Sequence, residues 1–149
     1  MKLIKISPPG FGLIYLLITL AFHFLSPQRT AFPLLYRLLG ILGFTAGFSL
    51  MMWGWNLFKL KETSVIPTVE PKTLITTGPY RFSRNPMYGG MVLILLSIAL
   101  FLGALFVLLA PLAFFLTLDR LFIPHEEKVM EGIFGKDYLD YKSRVRRWV

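Results

Sequence analysis

Hydrophobic positions in this chain are gathered into long runs separated by short polar segments. The first run extends from Phe11 to Leu25, and the second from about Phe32 to Phe58. The third, Gly89 to Leu118, has 30 residues and would be about 45 Å long as a single helix. Since the apolar core of a bilayer is only about 30 Å thick, we expect two helices there, joined by a break near Leu102-Gly103-Ala104.

These runs predict an all-α integral membrane protein with about four transmembrane helices. The first run is interrupted only by His23, and no small-x-small cleavage site follows it, so we interpret it as a retained span rather than a signal peptide. In the second run, glycines share one helical stripe, which favours close packing of helix backbones: Gly40, Gly43 and Gly47. Pro111 is expected to kink the fourth helix.

The C-terminal segment, Glu126 to Val149, has its own periodicity. Apolar residues recur there at steps of three and four: Val129, Ile133, Phe134, Tyr138, Tyr141, Val145 and Trp148. This pattern predicts an amphipathic interfacial helix, broken at Gly132 or Gly135, that lies on the membrane surface or over the helix ends.

The distribution of charge predicts the orientation in the membrane. With four spans, the two termini and the Lys59–Arg84 segment lie on one side, together with 14 of the 16 basic residues and all eight acidic ones. Arg29 and Arg37 fall on the other side. By the positive-inside rule the side with most of the basic residues is cytoplasmic, and both termini are therefore predicted to be cytoplasmic. Three arginines are also expected to attract anionic lipid head groups: Arg144, Arg146 and Arg147.

Composition narrows the class of protein further. Hydrophobic residues make up 55% of the 149 positions and charged residues 16%, with a net charge of +8. The positive-inside rule accounts for that charge, so we expect no nucleic-acid partner. The absence of cysteine excludes disulfides and thiol chemistry, and two distant histidines predict no metal site. We expect a single domain in a prokaryotic inner membrane, with residues 1–58 forming two N-terminal spans.

Two polar clusters are not explained by membrane packing. One runs from Lys72 to Tyr88, and the other comprises Asp119-Arg120 and Pro124-His125-Glu126-Glu127. By default the first is a solvated loop with an Asn-Pro helix cap, and the second supplies acidic charges to the first turn of a helix. Both lie on the predicted cytoplasmic face, where together they would form a polar pocket open to a charged cofactor from the cytosol and an apolar substrate from the lipid.

The motifs in these clusters resemble a known family. Gly78-Pro79-Tyr80, Arg84-Asn85-Pro86-Met87-Tyr88, a hydrophobic hairpin, Glu126-Glu127 and Phe134-Gly135-Lys136-Asp137-Tyr138 follow one another as in the isoprenylcysteine carboxyl methyltransferase family. The wider group includes the integral-membrane phospholipid N-methyltransferases. The resemblance covers about residues 70–147. It implies S-adenosylmethionine bound on the cytoplasmic side without a Rossmann domain, and residues 70–149 as the methyltransferase core.

The resemblance also implies cofactor-binding residues. Glu126 matches the acidic residue for the methionine ammonium, a charge pairing that suits a partly buried carboxylate. Tyrosine faces can stabilise the sulfonium by cation–π attraction, and backbone N–H groups at the start of the third helix can bind the cofactor carboxylate. The remaining matched positions are Lys72, Thr73, Leu74, Ile75, Tyr80, Asn85, Pro86, Met87 and Tyr88.

Three residues are candidates for catalysis. Arg84 and Arg120 can steer an anionic acceptor or phosphate, and Glu127 is the nearest base for an amine or thiol acceptor. Two positions depart from the family: Asn85 stands in place of its histidine, and Phe122 in place of the arginine that serves the substrate carboxylate in the eukaryotic enzymes.

The sequence therefore predicts a membrane-embedded S-adenosylmethionine-dependent methyltransferase that acts on a small lipophilic acceptor, similar to isoprenylcysteine carboxyl methyltransferase. N-methylation of a phospholipid or other lipid amine is the alternative. A four-helix transporter or a scaffold without catalysis is the alternative from another class. A transporter needs an ionisable residue within the bilayer, and the candidates are His23 and Arg37, both near the outer ends of their spans. The acceptor and the oligomeric state stay open.

Overall fold

The computed structural model describes residues 7–25, 33–65, 71–103 and 105–149. The elements within these ranges are all helical, as predicted. Six α-helices follow in order: α1 Pro8–Leu25, α2 Leu34–Leu60, α3 Pro86–Leu102, α4 Leu109–Thr117, α5 Ile123–Phe134 and α6 Lys136–Arg144. Short 3-10 turns precede α3 and α4, at Gly78–Arg81 and Leu105–Leu108, and a π-helical turn, Leu118–Phe122, joins α4 to α5.

Two of the described helices are long and apolar enough to cross a membrane. These are α1, with 18 residues, and α2, with 27. Helix α3 is apolar but has 17 residues, and α4 has nine. The prediction of about four spans is therefore confirmed only for the first two, because each half of the third apolar run is shorter than the roughly 20 residues of an ordinary span.

The third apolar run is divided where the sequence predicts. Helix α3 ends at Leu102 because Gly103 adopts a left-handed conformation, with φ of 71°, that favours glycine. Helices α3 and α4 then pack against each other. Pro111, where the sequence predicts a kink, lies in the first turn of α4, directly after the 3-10 turn Leu105–Leu108. Proline is tolerated in a first turn, and the kink stays a prediction.

Helices α2 and α3 form the most extensive helix pair of the described residues. A methyl group built on Gly47 would lie 2.8 Å from the Gly90 carbonyl oxygen, and one on Gly90 would lie 2.6 Å from the Gly47 carbonyl oxygen. The two backbones are thus in direct contact, and the packing role predicted for the glycine stripe is confirmed. The stripe continues to Gly54, which touches Met87 at the start of α3.

Apolar packing also fixes the π-helical turn against α1. Leu118, Phe122 and Ile123 belong to the main buried cluster. Phe11 of α1 meets Phe122 edge-on, with ring centroids 5.1 Å apart. Since α1 and α3 hold this turn from two sides, the direction in which α5 leaves the helical bundle is set by the core.

The C-terminal segment forms two helices and a tail. Gly135, with φ of 52°, separates α5 from α6, so the break lies at the second of the two predicted positions. Helix α6 packs over the loop that precedes α3, where the Tyr141 hydroxyl donates to the Tyr80 carbonyl oxygen at 2.7 Å. The sequence predicts a helical segment as far as Val149, but α6 ends at Arg144. Residues 145–149, the C-terminal tail, leave the helical conformation at Val145.

Candidate functional site

A cavity of about 120 Å³ lies where the loop before α3, the first turn of α3, α5 and α6 meet. The end of α2 supplies one wall through Phe58. Most of the lining is apolar or aromatic, and its charged members are two glutamates and one arginine. The lining residues are Phe58, Ser64, Val65, Pro71, Thr73, Leu74, Ile75, Tyr80, Arg84, Asn85, Met87, Tyr88, Glu126, Glu127, Met130, Tyr138 and Tyr141.

The 3-10 turn Gly78–Arg81 places Tyr80 in this cavity. Gly78 has φ of 61°, a backbone conformation that favours glycine, and a methyl group there would lie 2.8 Å from the Leu57 side chain. Tyr80 is buried and meets Phe58 edge-on at 5.6 Å between ring centroids. Its ring is thereby held by α2, and its backbone by α6.

Glu126 presents a carboxylate to the cavity. The Tyr88 hydroxyl donates a hydrogen bond to its Oε1 atom. Burial raises the pKa of Glu126 to about 7, although the hydrogen bond from Tyr88 acts in the opposite direction. Near neutral pH this group is divided between its acid and its ionised form, and an incoming cation would favour ionisation.

Glu127, the next residue, is surrounded by cations. Its two oxygens accept hydrogen bonds from Arg147, at 3.1 Å from Nε and 3.0 Å from Nη2. Arg84 Nη1 lies 3.1 Å and Lys142 Nζ 3.5 Å from the same carboxylate. Burial acts to raise the pKa of Glu127, but the hydrogen bonds from Arg147 and the neighbouring positive charges leave it below its ordinary value. This carboxylate therefore stays ionised.

Arg84 carries a buried positive charge with unused donors. Its side chain is only 10% exposed. The Nε and Nη1 atoms are buried without a hydrogen-bond partner among the described residues, since the approach of Nη1 to Glu127 is an ion pair without hydrogen-bond geometry. Buried guanidinium donors of this kind need an acceptor. The cavity thus holds an anion-binding group beside Glu126.

The C-terminal tail binds the loop before α3. The Arg147 carbonyl oxygen accepts from Asn85 Nδ2 at 3.1 Å and from Ser83 Oγ at 3.2 Å, and the Arg146 carbonyl accepts from the Arg84 amide at 2.9 Å. Asn85 occupies the N-cap position of α3, but its side chain makes no capping hydrogen bond. It anchors the tail instead, in contrast to the default interpretation of the Asn-Pro pair.

The tail also binds the π-helical turn. Arg147 Nη1 and Trp148 Nε1 both donate to Asp119 Oδ1, at 3.1 Å and 2.9 Å. Arg120, the next residue, has a side chain that is 79% exposed and lies 3.6 Å from its neighbour Asp119. The expected interaction of Arg147 with lipid head groups is not favoured by this arrangement, because its guanidinium is already occupied by two carboxylates.

Most of the predicted site residues come together in the cavity. Three do not line it. Lys72 is exposed, and its amide donates to Thr63 Oγ1 at 2.9 Å; Pro86 is buried as the first residue of α3; Arg120 faces away on the π-helical turn. The predicted residues that do line it are Thr73, Leu74, Ile75, Tyr80, Arg84, Asn85, Met87, Tyr88, Glu126 and Glu127.

Sequence reasoning missed seven lining residues: Phe58, Ser64, Val65, Pro71, Met130, Tyr138 and Tyr141. The sequence predicts Tyr138 and Tyr141 on the apolar stripe of an interfacial helix. In the structure both are buried and line the cavity. Phe58 ends an apolar run, and the sequence has no feature that distinguishes it from the other apolar residues of that run. The two tyrosines are three residues apart on one stripe, and their hydroxyls need hydrogen-bond partners when they are buried. This spacing is a sequence signal for a polar site beneath the helix.

The arrangement suits a zwitterionic ligand that also carries a positive centre. Glu126 can pair with an ammonium, Arg84 can pair with a carboxylate, and the rings of Tyr80 and Tyr88 can face a cation. The methionine part of S-adenosylmethionine has these three features. Among the described residues, no group of three or more metal-ligating side chains comes together.

Comparisons with known proteins identify the family of this chain. The sequence matches the phospholipid methyltransferase family over residues 35–137. It is also 40% identical over 63 residues to an uncharacterized protein of Haemophilus influenzae, a match that covers 42% of this chain and all of that protein. No solved structure matches the chain. The family match includes most of the cavity and leaves the C-terminal tail outside.

Proposed function

The chain belongs to the phospholipid methyltransferase family, and from that premise we propose that it transfers a methyl group from S-adenosylmethionine to a lipid-type acceptor in the cavity between α3, α5 and α6. Membership of this family implies a membrane methyltransferase. The single observation that carries the cofactor assignment is Glu126, a partly buried carboxylate with a pKa raised to about 7 in a tyrosine-lined cavity.

We propose the following roles for the cavity residues. S-adenosylmethionine supplies an electrophilic methyl group on a sulfonium. Glu126 binds the ammonium of the methionine part, and the rings of Tyr80 and Tyr88 lie against positive charge. Thr73, Leu74 and Ile75 contribute an apolar wall, and Met87 packs at the start of α3. Tyr138 and Tyr141 cover the cavity from α6 and exclude water, which a methyl transfer requires.

Glu127 is better suited to holding cations than to accepting a proton. A general base works best when its pKa lies near the working pH, whereas Arg147 and Arg84 keep the pKa of Glu127 below its ordinary value. We therefore propose that Glu127 holds Arg147 of the C-terminal tail. A Glu127→Gln variant tests the alternative, since a base role predicts loss of turnover with an amine acceptor and unchanged cofactor affinity.

A lipid amine is the acceptor that the site supports better than an isoprenylcysteine carboxylate. Its ammonium loses a proton to bulk water before the nitrogen accepts the methyl group. In the eukaryotic isoprenylcysteine carboxyl methyltransferases, which this chain resembles, an arginine at the position of Phe122 binds that carboxylate. Here Phe122 is buried against Phe11, and the Arg120 side chain is 79% exposed, so neither supplies a cation to the cavity. Carboxyl methylation in the manner of isoprenylcysteine methyltransferases remains the second candidate, with Arg84 as the group that would bind the acid.

Binding of S-adenosylhomocysteine tests the proposal directly. We would titrate it calorimetrically into the detergent-purified protein as wild type, Glu126→Ala and Asp137→Asn. Asp137 is exposed on α6, so its variant removes an equal charge outside the cavity. We expect micromolar binding by wild type and Asp137→Asn, and loss of binding by Glu126→Ala. Absence of binding by folded wild type, with and without lipid, would overturn the proposal.

The acceptor requires a second assay. Cofactor with a labelled methyl group would be incubated with the protein in nanodiscs that contain phosphatidylethanolamine or a prenylated cysteine analogue. Label in the phospholipid indicates N-methylation, and base-labile label in the analogue indicates carboxyl methylation. Glu126→Ala serves as the inactive control in both.

A further inference from the structure

Two arginines share a single carboxylate beside the cavity, and they share it unequally. Arg147 occupies both oxygens of Glu127 in the parallel two-bond geometry that guanidinium and carboxylate groups favour. Arg84 makes one ion-pair contact with this carboxylate, from Nη1 to Oε1 at 3.1 Å, and a hydrogen bond with the Tyr138 side chain. The more buried of the two arginines therefore has the weaker hold on the carboxylate.

Arg147 itself does not line the cavity. Its Nη1 atom is bound by Asp119, and its carbonyl oxygen accepts from Asn85 and Ser83. The π-helical turn and the loop before α3 thus fix Arg147 from two sides. Its guanidinium is bound by Asp119 as well as by Glu127.

We propose that Arg147 is a positioning residue, which keeps the guanidinium of Arg84 open to the carboxylate of the cofactor's amino-acid group by occupying both oxygens of Glu127. This inference rests on the proposed function. Arg84 Nε and Nη1 are buried and without a hydrogen-bond partner. A guanidinium whose donors were saturated by Glu127 would have nothing to offer an anionic ligand.

The cofactor carboxylate is the anion that fits this place. In an amino acid the ammonium and the carboxylate are attached to the same carbon atom, so their protein partners must be neighbours. Glu126 and the Glu127-bound Arg84 meet this condition, because both line the same cavity and the two glutamates are adjacent in sequence.

Removal of Arg147 changes the competition for Glu127. Both carboxylate oxygens become available to Arg84, which can then form the two-bond pair. Lys142 is a weak competitor, since it lies 3.5 Å from Glu127 Oε2 and its ammonium is bound more closely by Glu131. A second substitution, Glu127→Gln, removes the negative charge that draws Arg84 away and leaves its donors free again.

The test is a four-protein series titrated with S-adenosylhomocysteine: wild type, Arg147→Gln, Arg146→Gln and Arg147→Gln/Glu127→Gln. We expect Arg147→Gln to bind about tenfold more weakly and the double variant to recover most of that loss, a charged hydrogen bond being the interaction at stake. The side chain of Arg146 is exposed on the same tail, so its variant should bind as wild type does. 5′-Methylthioadenosine, which lacks the amino-acid group, should bind wild type and Arg147→Gln equally.

Several outcomes would overturn the inference. Wild-type affinity in Arg147→Gln shows that Arg84 is open without help. A double variant that binds no better than Arg147→Gln, or equal weakening for 5′-methylthioadenosine, indicates that the tail merely supports the shape of the cavity. Thermal unfolding in detergent verifies that each variant is folded. Lack of binding by folded wild type would instead contradict the proposed function, on which this inference depends.

Discussion

Two adjacent glutamates in this protein have opposite electrostatic environments. Burial raises the pKa of Glu126 to about 7, and its hydrogen-bond partner is the neutral hydroxyl of Tyr88. Glu127 lies among Arg84, Lys142 and Arg147, and its pKa is lowered. Successive residues of a helix point about 100° apart, so the two side chains reach different partners although both line the cavity. Only the first is free to respond to a ligand.

Cofactor affinity should therefore depend on pH. An ammonium pairs with the ionised form of Glu126, and a pKa of about 7 means that this form declines as the pH falls. We expect the affinity for S-adenosylhomocysteine to fall from pH 7.5 to 5.5, approaching about tenfold per pH unit at the acidic end. Calorimetric titrations over this range measure it. Glu126→Gln should bind weakly at every pH, and a flat profile in wild type would contradict the prediction.

The same shift affects the stability of the ligand-free protein in the opposite sense. A carboxyl whose pKa rises from 4.5 to about 7 on folding binds its proton more tightly in the folded state. Its contribution to stability is complete below about pH 4.5 and is lost as the pH rises through 7. High pH thus increases cofactor affinity and decreases the contribution of Glu126 to the free energy of unfolding of the ligand-free protein.

Replacement of Tyr88 by phenylalanine should move the pH profile. The hydroxyl of Tyr88 donates to Glu126 and lowers its pKa against the effect of burial. Tyr88→Phe keeps the ring and removes this hydrogen bond, so the midpoint of the pH-dependent affinity should rise above that of wild type. Titrations at matched pH values detect the shift. An unchanged or lower midpoint would mean that the hydrogen bond does not stabilise the ionised carboxylate.

At the scale of helices, glycines decide how α2 and α3 meet. The backbones touch at Gly47 and Gly90, whereas a methyl group on the neighbouring Gly89 would meet nothing within 4 Å. Direct backbone contact allows van der Waals packing along the pair where hydrophobic association alone gives little, as between helices in lipid. This pair also carries the first turn of α3 to the cavity, so its register affects the site.

Gly90→Ala and Gly89→Ala should consequently behave differently. The new methyl group of Gly90→Ala lies 2.6 Å from a backbone oxygen of α2, which cannot move without separating the helices, and we expect a loss of about 1–3 kcal/mol. Gly89→Ala should be neutral or gain up to about 1 kcal/mol from helix propensity. Thermal unfolding in detergent compares the two. Equal stability would show that the helices separate at no cost.

Three helix boundaries agree with the glycine or proline that marks them, whereas α1 begins at Pro8 and not at Phe11. The breaks at Gly103 and Gly135 and the start of α3 at Pro86 follow from the backbone preferences of single residues. The π-helical turn Leu118–Phe122 had no such marker, because an extra residue in a helical turn is accommodated by packing. Within this turn the Arg120 side chain is exposed, while Asp119 beside it is held by the tail.

For the whole molecule, charge and apolar length predict its place in the membrane. The exposed side chains of α1 and α2 include many leucines and phenylalanines, as expected for helices that contact lipid. The cavity and most of the ion pairs lie instead among the loop before α3, α5, α6 and the C-terminal tail. The cytoplasmic side of the site stays a prediction of the positive-inside rule.

The absence of cysteine makes the orientation easy to measure. Each introduced cysteine is the only thiol in the protein, so labelling reports one position. Ser143→Cys, on exposed α6, should react with a membrane-impermeant maleimide only in inverted vesicles. Gln28→Cys, in the segment predicted to face outward, should react in intact cells. The reverse pattern would place the site on the outer face.

The sequence by itself determined the helical architecture, the division of the third apolar run and most residues of the cavity. Apolar runs, helix-breaking residues and short motifs are local properties, and each acts through its own stretch of chain. Tertiary structure decided what the charged groups do. The unequal sharing of Glu127 between Arg84 and Arg147, the exposure of Arg120 and the closure of the cavity by Tyr138 and Tyr141 join segments far apart in the chain. Such contacts depend on packing distances that no single segment specifies.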